Sequence, residues 1–301
     1  MIPPMPIQLI HRAAQVPPPT SWLTPATSSI GAAVPSAPRS SVPGPELPAI
    51  PSRHPALPSP PPSLEQLARL ADRAPTSERF TPGSHPSMIR NAHYTNTRAQ
   101  LAHALAGRYN SVEGDVRLRD GRPVMQHDSD AAYDLTFEQW ALLAHRAGKH
   151  LRIDLKEPGT LPQVEDALRR IGVPAGSITF NVALATPWSA GMRLDEIRAL
   201  RERFPTSWVT LNLPLPFGPG YLLAARAARA IGGDRLGVAV MAGLVHRRDV
   251  ELLRRSFAVV NAWNLPFLGD PDIEQVTAQL RALGVNGMLD LRRRDDPLAS
   301  D

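Results

Sequence analysis

The sequence predicts a parallel (β/α)8 barrel of the TIM type that lacks a clear eighth helix and follows a disordered proline-rich tail. Three observations carry this. Of 33 prolines, 21 fall at or before Pro86, and a run such as Leu57-Pro-Ser-Pro-Pro-Pro-Ser63 has neither the apolar periodicity nor the backbone donors of a packed element. From Met88 onward, short apolar or alternating runs take turns with helical stretches, the pattern of repeated strand-helix units. Once the tail is set aside, the 301-residue chain leaves about 215 residues, a size that suits one barrel.

Residues 1–85 therefore read as the tail, with a short helix over 63–74. There Leu64, Leu67, Leu70 and Ala71 recur at helical spacing behind Ser63 as N-cap. Residues 86–301 read as the barrel. Its strands are expected at 88–93, 111–118, 151–156, 177–183, 208–213, 236–241, 257–263 and 285–290. Helices are expected near 97–106, 136–147, 161–171, 193–204, 221–231, 247–255 and 273–283. Gly107, Gly148, Gly172, Gly232 and Gly284 close five of them, where a left-handed residue commonly ends a helix. Eleven residues follow Asp290, too few for an eighth helix with its connections. A doubly wound open sheet is the alternative, weakened by the missing glycine-rich loop after the first strand.

Composition removes several classes of function. With no cysteine there are no disulfides, thiolate metal sites, iron–sulfur clusters or cysteine nucleophiles. No apolar run approaches the ~20 residues of a membrane span, and prolines interrupt the N-terminus where a signal peptide would be apolar. The expectation is a soluble chain, cytoplasmic or exported by a route independent of a signal peptide. The net charge of +5 comes from arginines scattered over helices, so no nucleic acid is expected as partner. An anionic substrate or peripheral contact with a membrane surface fits this basicity, and the proline-rich tail suits protein partners.

The chemistry lies in the parity of two strands. In Val112-Glu-Gly-Asp-Val-Arg-Leu118, Glu113 and Asp115 share one face, and Val112, Val116 and Leu118 take the other. In Leu151-Arg-Ile-Asp-Leu-Lys156, Asp154 and Lys156 share one face against Leu151, Ile153 and Leu155. If the apolar parity packs on helices, three carboxylates and a lysine enter the barrel near its C-terminal end, where this fold places active sites. Clustered carboxylates repel one another. A single hard divalent ion, Mg²⁺ or Ca²⁺, bound by Glu113, Asp115 and Asp154 relieves that repulsion; the alternative is that they meet arginines such as Arg117 or Arg152.

His93 and His127 fall at strand ends beside this pair, and an imidazole exchanges protons near neutrality. His54, His85, His103, His145, His150 and His246 stand in tail or helical contexts and carry no such expectation. Lys156 is one of only two lysines in the chain, which reads either as a need for a compact ammonium against carboxylates or a phosphate oxygen or as chance. Asn181 and Asn212 enter later strands at the inward parity, as core hydrogen-bonding amides or as substrate contacts. Trp263 at a strand end either walls the pocket or packs in the core.

Taken in order, His93, Glu113-Gly-Asp115, Pro123-Val-Met-Gln-His127 and Asp154-Leu-Lys156 resemble the motifs of the glycerophosphodiester phosphodiesterase-like barrels. His93-Tyr-Thr-Asn96 resembles the His-x-x-Asn of the menorin family and of spider-type phospholipase D toxins, and Asp134-Leu-Thr-Phe-Glu-Gln-Trp140 is similar to menorins in particular. The resemblance implies metal binding by Glu113, Asp115 and Asp154 and an acid-base or nucleophilic role for His93 and His127. It also implies support of the metal or phosphate by Lys156 and a place for Asn96 among the substrate contacts. The activity so implied is metal-dependent hydrolysis, or phospholipase D-like cleavage, of a glycerol or lipid phosphodiester. A module that binds a phosphorylated ligand or protein without turnover is the alternative. The chain departs from typical glycerophosphodiesterases in having His93-Tyr-Thr-Asn96 where they carry His-Arg and Glu-Asn-Thr signatures.

Overall fold

The computed structural model of the protein describes residues 57–186, 190–213, 218–265 and 272–298. Of the tail expected over residues 1–85, residues 1–56 lie outside them.

Alternating apolar parity does produce parallel strands here. In chain order the elements are α1 (Leu64–Asp72), β1 (Asn91–Ala92), α2 (Arg98–Ala106), β2 (Ser111–Arg119), β3 (Arg122–Met125), α3 (Phe137–Arg146), β4 (His150–Leu155) and α4 (Leu161–Ile171). They continue with β5 (Ile178–Ala183), α5 (Leu194–Arg203), β6 (Trp208–Asn212), α6 (Pro219–Ile231), β7 (Leu236–Met241), α7 (Arg247–Arg254), β8 (Val259–Trp263), α8 (Ile273–Leu283) and β9 (Leu289–Asp290). Strands β1, β2 and β4 to β9 pair in parallel in that order. The result is a nearly closed eight-stranded parallel barrel, so the open-sheet alternative does not hold. Its seam, between β1 and β9, is crossed by side chains: the Asn91 amide donates to Asp290 at 3.3 Å.

The outward residues of the strands, among them Val112, Val116, Leu151, Ile153, Phe180 and Val182, are buried with Leu101, Leu105, Phe137, Trp140, Val164 and Leu200 of the helices in one apolar core. Leu67 and Ala71 of α1 belong to that core. Ser63 caps this helix as its sequence suggests, accepting from Gln66 N at 3.2 Å while Gln66 Oε1 accepts from Ser63 N at 2.7 Å. Seven helices lie between the barrel strands, and among the described residues no helix follows β9. None of the described helices is long and apolar enough to cross a membrane.

Three local expectations need correction. The strand expected over 88–93 shrinks to Asn91–Ala92, because Pro86 starts a single 3-10 turn through Met88 in which His85 accepts from Ser87 N. Gly107 ends α2 without a left-handed turn; its φ is −85°. What excludes a side chain there is the Tyr109 ring, 2.8 Å from where a Cβ would stand. His150, read as lying in a tail or helical context, is the first residue of β4 and is buried in the barrel between Ser111 Oγ (3.1 Å from Nδ1) and Thr179 Oγ1 (3.0 Å from Nε2).

The run after a turn that His127 was expected to close is a ninth strand, outside the eight expected for the barrel. Asp120 and Gly121 have φ of +50° and +74° and join Arg119 to its partner Arg122. This is the two-residue hairpin loop that Asp-Gly favours, since both central residues must enter the left-handed region. Strand β3 thus folds back antiparallel on β2 and carries the chain to His127.

Candidate active site

The turn between β1 and α2, His93-Tyr-Thr-Asn96, is fastened to β2. Thr95 donates twice to the Glu113 carbonyl, through N at 2.8 Å and Oγ1 at 2.7 Å, and Trp140 Nε1 donates to Thr95 Oγ1 at 2.9 Å. Tyr94 adopts a φ of +60°, unusual for a side-chain-bearing residue, and its N–H donates to Glu113 Oε2 at 2.8 Å. Asn96 Oδ1 accepts from Asp115 N at 2.8 Å while its Nδ2 donates to Asp115 Oδ2 at 2.6 Å. Gly114 makes this approach possible, because a Cβ there would stand 3.1 Å from Asn96 Oδ1 and 2.3 Å from Met125 Cε. Thr97 then caps α2 with Gln100.

Register places Asp115 level with Asp154 and Glu113 level with Arg152. Glu113, Asp115 and Asp154 are buried, and one ligand atom from each lies within 4.8 Å of the others. Two oxygens on opposite sides of a bound Ca²⁺ stand about 5 Å apart, so the spacing is one that a single ion can span. The donor set is all carboxylate, which suits a hard cation. Lys156 Nζ bridges Asp115 Oδ1 at 2.8 Å and Asp154 Oδ2 at 2.9 Å. Burial would push the Asp115 carboxyl up, but Lys156, His127 and Asn96 hold it below the usual carboxylate range. Among the described residues Glu113 has no lysine or arginine ion-pair partner, only His93 Nδ1 at 3.4 Å. Burial pushes the Glu113 carboxyl up and the Asp115 and Asp154 charges add to this, with His93 and Arg152 opposing. Its surroundings therefore favour a further positive charge.

His93 is half-buried. Its Nδ1 lies 2.6 Å from Asp290 Oδ2 and 3.4 Å from Glu113 Oε2. Burial alone would lower its pKa, but the Asp290 and Glu113 charges outweigh it and the net shift is upward. His127 stands in the loop after β3, where its carbonyl accepts from Arg117 Nε at 2.7 Å and its Nδ1 pairs with Asp128 Oδ1 at 2.8 Å. The Tyr94 ring lies near both imidazoles, stacked 6.4 Å from His93 and tilted 5.3 Å from His127, between ring centroids.

Of the residues singled out in sequence, Asn96, Asp115, Lys156 and Asp154 form one bonded group, Glu113 pairs with His93 and lies beside that group, and His127 stands next to them against the Tyr94 ring. Asn181 stands level with Asp154 and accepts from Arg152 Nη2 at 3.4 Å, one step from the cluster. Asn212, level with Ala183, and Trp263, level with Asp290, have no side-chain hydrogen bond to it among the described residues. The arginines of the alternative reading pair elsewhere: Arg117 with Glu157 at 2.8 Å and Arg152 with Asp290 at 3.2 Å.

Asp290 itself was missed. Leu289-Asp290-Leu291-Arg292 carries the same alternation as β2 and β4, with polar residues on one parity, and that signal could have found both Asp290 and Arg292.

Comparison with known proteins agrees with the motifs. The sequence model of the Menorin N-terminal domain matches residues 86–186. No curated protein matches the chain. Among solved structures, a protein of Agrobacterium tumefaciens strain C58 described as a glycerophosphoryl diester phosphodiesterase superposes with a TM-score of 0.51. It is 15% identical, over 69% of this chain and 94% of that one. An Oleispira antarctica phosphodiesterase in complex with the product sn-glycerol-3-phosphate gives 0.49 at 16% identity, over 71% of this chain and 94% of its own. A Galdieria sulphuraria protein described as a glycerophosphodiester phosphodiesterase gives 0.49 at 13%, over 72% and 94%. At these identities the likeness concerns the fold. From His93 to Lys156 the candidate site lies within the stretch that the Menorin N-terminal domain model matches, and the barrel is similar in fold to that of the Agrobacterium tumefaciens protein.

Proposed function

We propose that the barrel is a divalent-metal-dependent phosphodiesterase acting on a glycerol or lipid phosphodiester. The observation that carries this is the convergence, at the C-terminal ends of β1, β2 and β4, of three buried carboxylates with one ammonium and two imidazoles. Carboxylates in such number cost several kcal/mol to desolvate unless cations offset them, and only two of the three have Lys156.

Glu113, Asp115 and Asp154 would hold Mg²⁺ or Ca²⁺. When bound, that ion neutralises negative charge building on the phosphoryl oxygens and orients them. Lys156 holds Asp115 ionised, pairs with Asp154 and adds positive charge beside the phosphate. Asn96 fixes the Asp115 carboxylate through two hydrogen bonds. His93 and His127 then divide the proton work: one takes the proton of the attacking hydroxyl or water, and the other gives a proton to the leaving alcohol oxygen.

The test is a screen of glycerol phosphodiesters and lysophospholipids with Mg²⁺, Mn²⁺ and Ca²⁺, with products identified by ³¹P NMR. Metal-dependent turnover is expected, with His93→Ala and His127→Ala each losing ~10²-fold or more. A chain that binds phosphorylated ligands tightly and turns over none of these esters would be the non-catalytic module.

A further inference from the structure

Asp290 lies outside the ligand triad, yet four polar side chains converge on it. It is buried on the inward parity of β9, level with Trp263, and it faces four groups. Asn91 donates to its Oδ2 at 3.3 Å, His93 Nδ1 stands at 2.6 Å, Arg152 Nη1 at 3.2 Å, and Arg292 Nε lies 3.8 Å from Oδ1. Arg292 is buried as well, and its Nη1 donates to Leu298 O at 3.2 Å. Burial would favour the protonated acid, but His93, Arg292 and Arg152 hold Asp290 far below the usual carboxylate range.

The geometry bears on one freedom of His93. An imidazole ring can turn by 180°, exchanging the places of Nδ1 and Cδ2, and either nitrogen can carry the proton of the neutral form. A carboxylate 2.6 Å from Nδ1 accepts a short, charge-assisted hydrogen bond. It selects one ring orientation and places a proton on Nδ1. Nε2, which has no hydrogen bond among the described residues, is then the nitrogen left to exchange protons. Asp290 can impose this choice because two arginines and Asn91 fix it in turn.

We propose that Asp290 is a positioning residue, which anchors His93 through Nδ1 across the barrel seam so that Nε2 serves the phosphodiester. This rests on the phosphodiesterase reading above. The same contact fastens β9 to the turn after β1, residues 197 positions apart in the chain. The two edge strands of the barrel are thereby held together where the reaction takes place.

The experiment is NMR of the full-length chain with ¹⁵N-labelled histidine, paired with steady-state kinetics on whichever phosphodiester the screen yields. The wild type is expected to give a far-downfield Nδ1–H resonance that is missing in His93→Gln. Asp290→Asn is expected to move or lose that resonance and to lower kcat ~10- to 100-fold, as loss of an orienting partner commonly does, with KM changed less than about twofold. Should Asp290→Asn fail to fold, the wild-type spectrum decides alone: a bare Nδ1 with the proton on Nε2 overturns the proposal. A folded Asp290→Asn with unchanged resonance and kcat overturns it too. Turnover without the resonance sinks the anchoring alone, whereas the resonance without any turnover sinks the phosphodiesterase reading and leaves the anchor standing.

Discussion

Gly114 is the residue on which the Asn96 to Asp115 contact depends. In Gly114→Ala the new methyl would press on Met125 Cε and Asn96 Oδ1. The methionine end can move, but the amide is held by two hydrogen bonds to Asp115. Overpacking of this kind costs about 1–3 kcal/mol, and urea denaturation should find a loss in that range. His150 gives a pH signature of its own. Burial, with Arg152 adding to it, pushes its pKa down to about 3. Between pH 6.5 and about 3 the unfolded chain binds a proton at this position that the folded chain refuses, so stability falls as pH drops through that window. His150→Asn should flatten the fall there; an unchanged pH profile of the melting temperature would show that His150 does not cause it. Which residues line the site was legible where strands are long enough to alternate. Glu113, Asp115 and Asp154 stand out against apolar neighbours of the opposite parity. Asp290 did not, because its strand is two residues long and closes a seam between the ends of the barrel sequence. Alternation there identifies a face without naming the partner.

The helices between the barrel strands were readable to within two residues at each end, since amphipathic periodicity and Thr caps such as Thr97 and Thr136 are local signals. The turn before the run to His127 was read, but its antiparallel pairing with β2 was not, although Asp120-Gly121 announces it. A four-residue antiparallel strand breaks the strand-helix alternation that organised the rest. It has a functional consequence, because β3 returns the chain to place His127 beside Tyr94. Gly121→Val puts a β-branched residue at a φ of +74°, a conformation that side chains of this kind resist. The expected result is a fall in phosphodiester turnover through a displaced His127, with metal-induced stabilisation retained. Loss of both, measured by kinetics and thermal shift, would mean that the hairpin holds the barrel together and does more than present a histidine.

At the scale of the molecule, the apolar core extends beyond the barrel to α1. Leu67 and Ala71 are fully buried, and large-to-small changes at such positions cost about 2–5 kcal/mol. Leu67→Ala should lower the denaturation midpoint accordingly. We expect limited proteolysis to cut in the proline-rich segment and leave a fragment that retains α1, which N-terminal sequencing of that fragment checks. The barrel interior beneath the site is polar, built from the Asp290 cluster and the Ser111, His150 and Thr179 chain, and it balances most of its carboxylates with its own cations. Glu113, which pairs with the His93 imidazole at 3.4 Å and not with Lys156, is the carboxylate that argues for an ion. Thermal unfolding of wild type and Asp115→Asn across a titration of Mg²⁺, Mn²⁺ and Ca²⁺ tests this most directly. The account expects the wild type to gain ~2.7 kcal/mol when the ion reaches about 100 times its dissociation constant, and expects the variant to gain nothing. Equal responses from the two proteins, or none from the wild type, would contradict it.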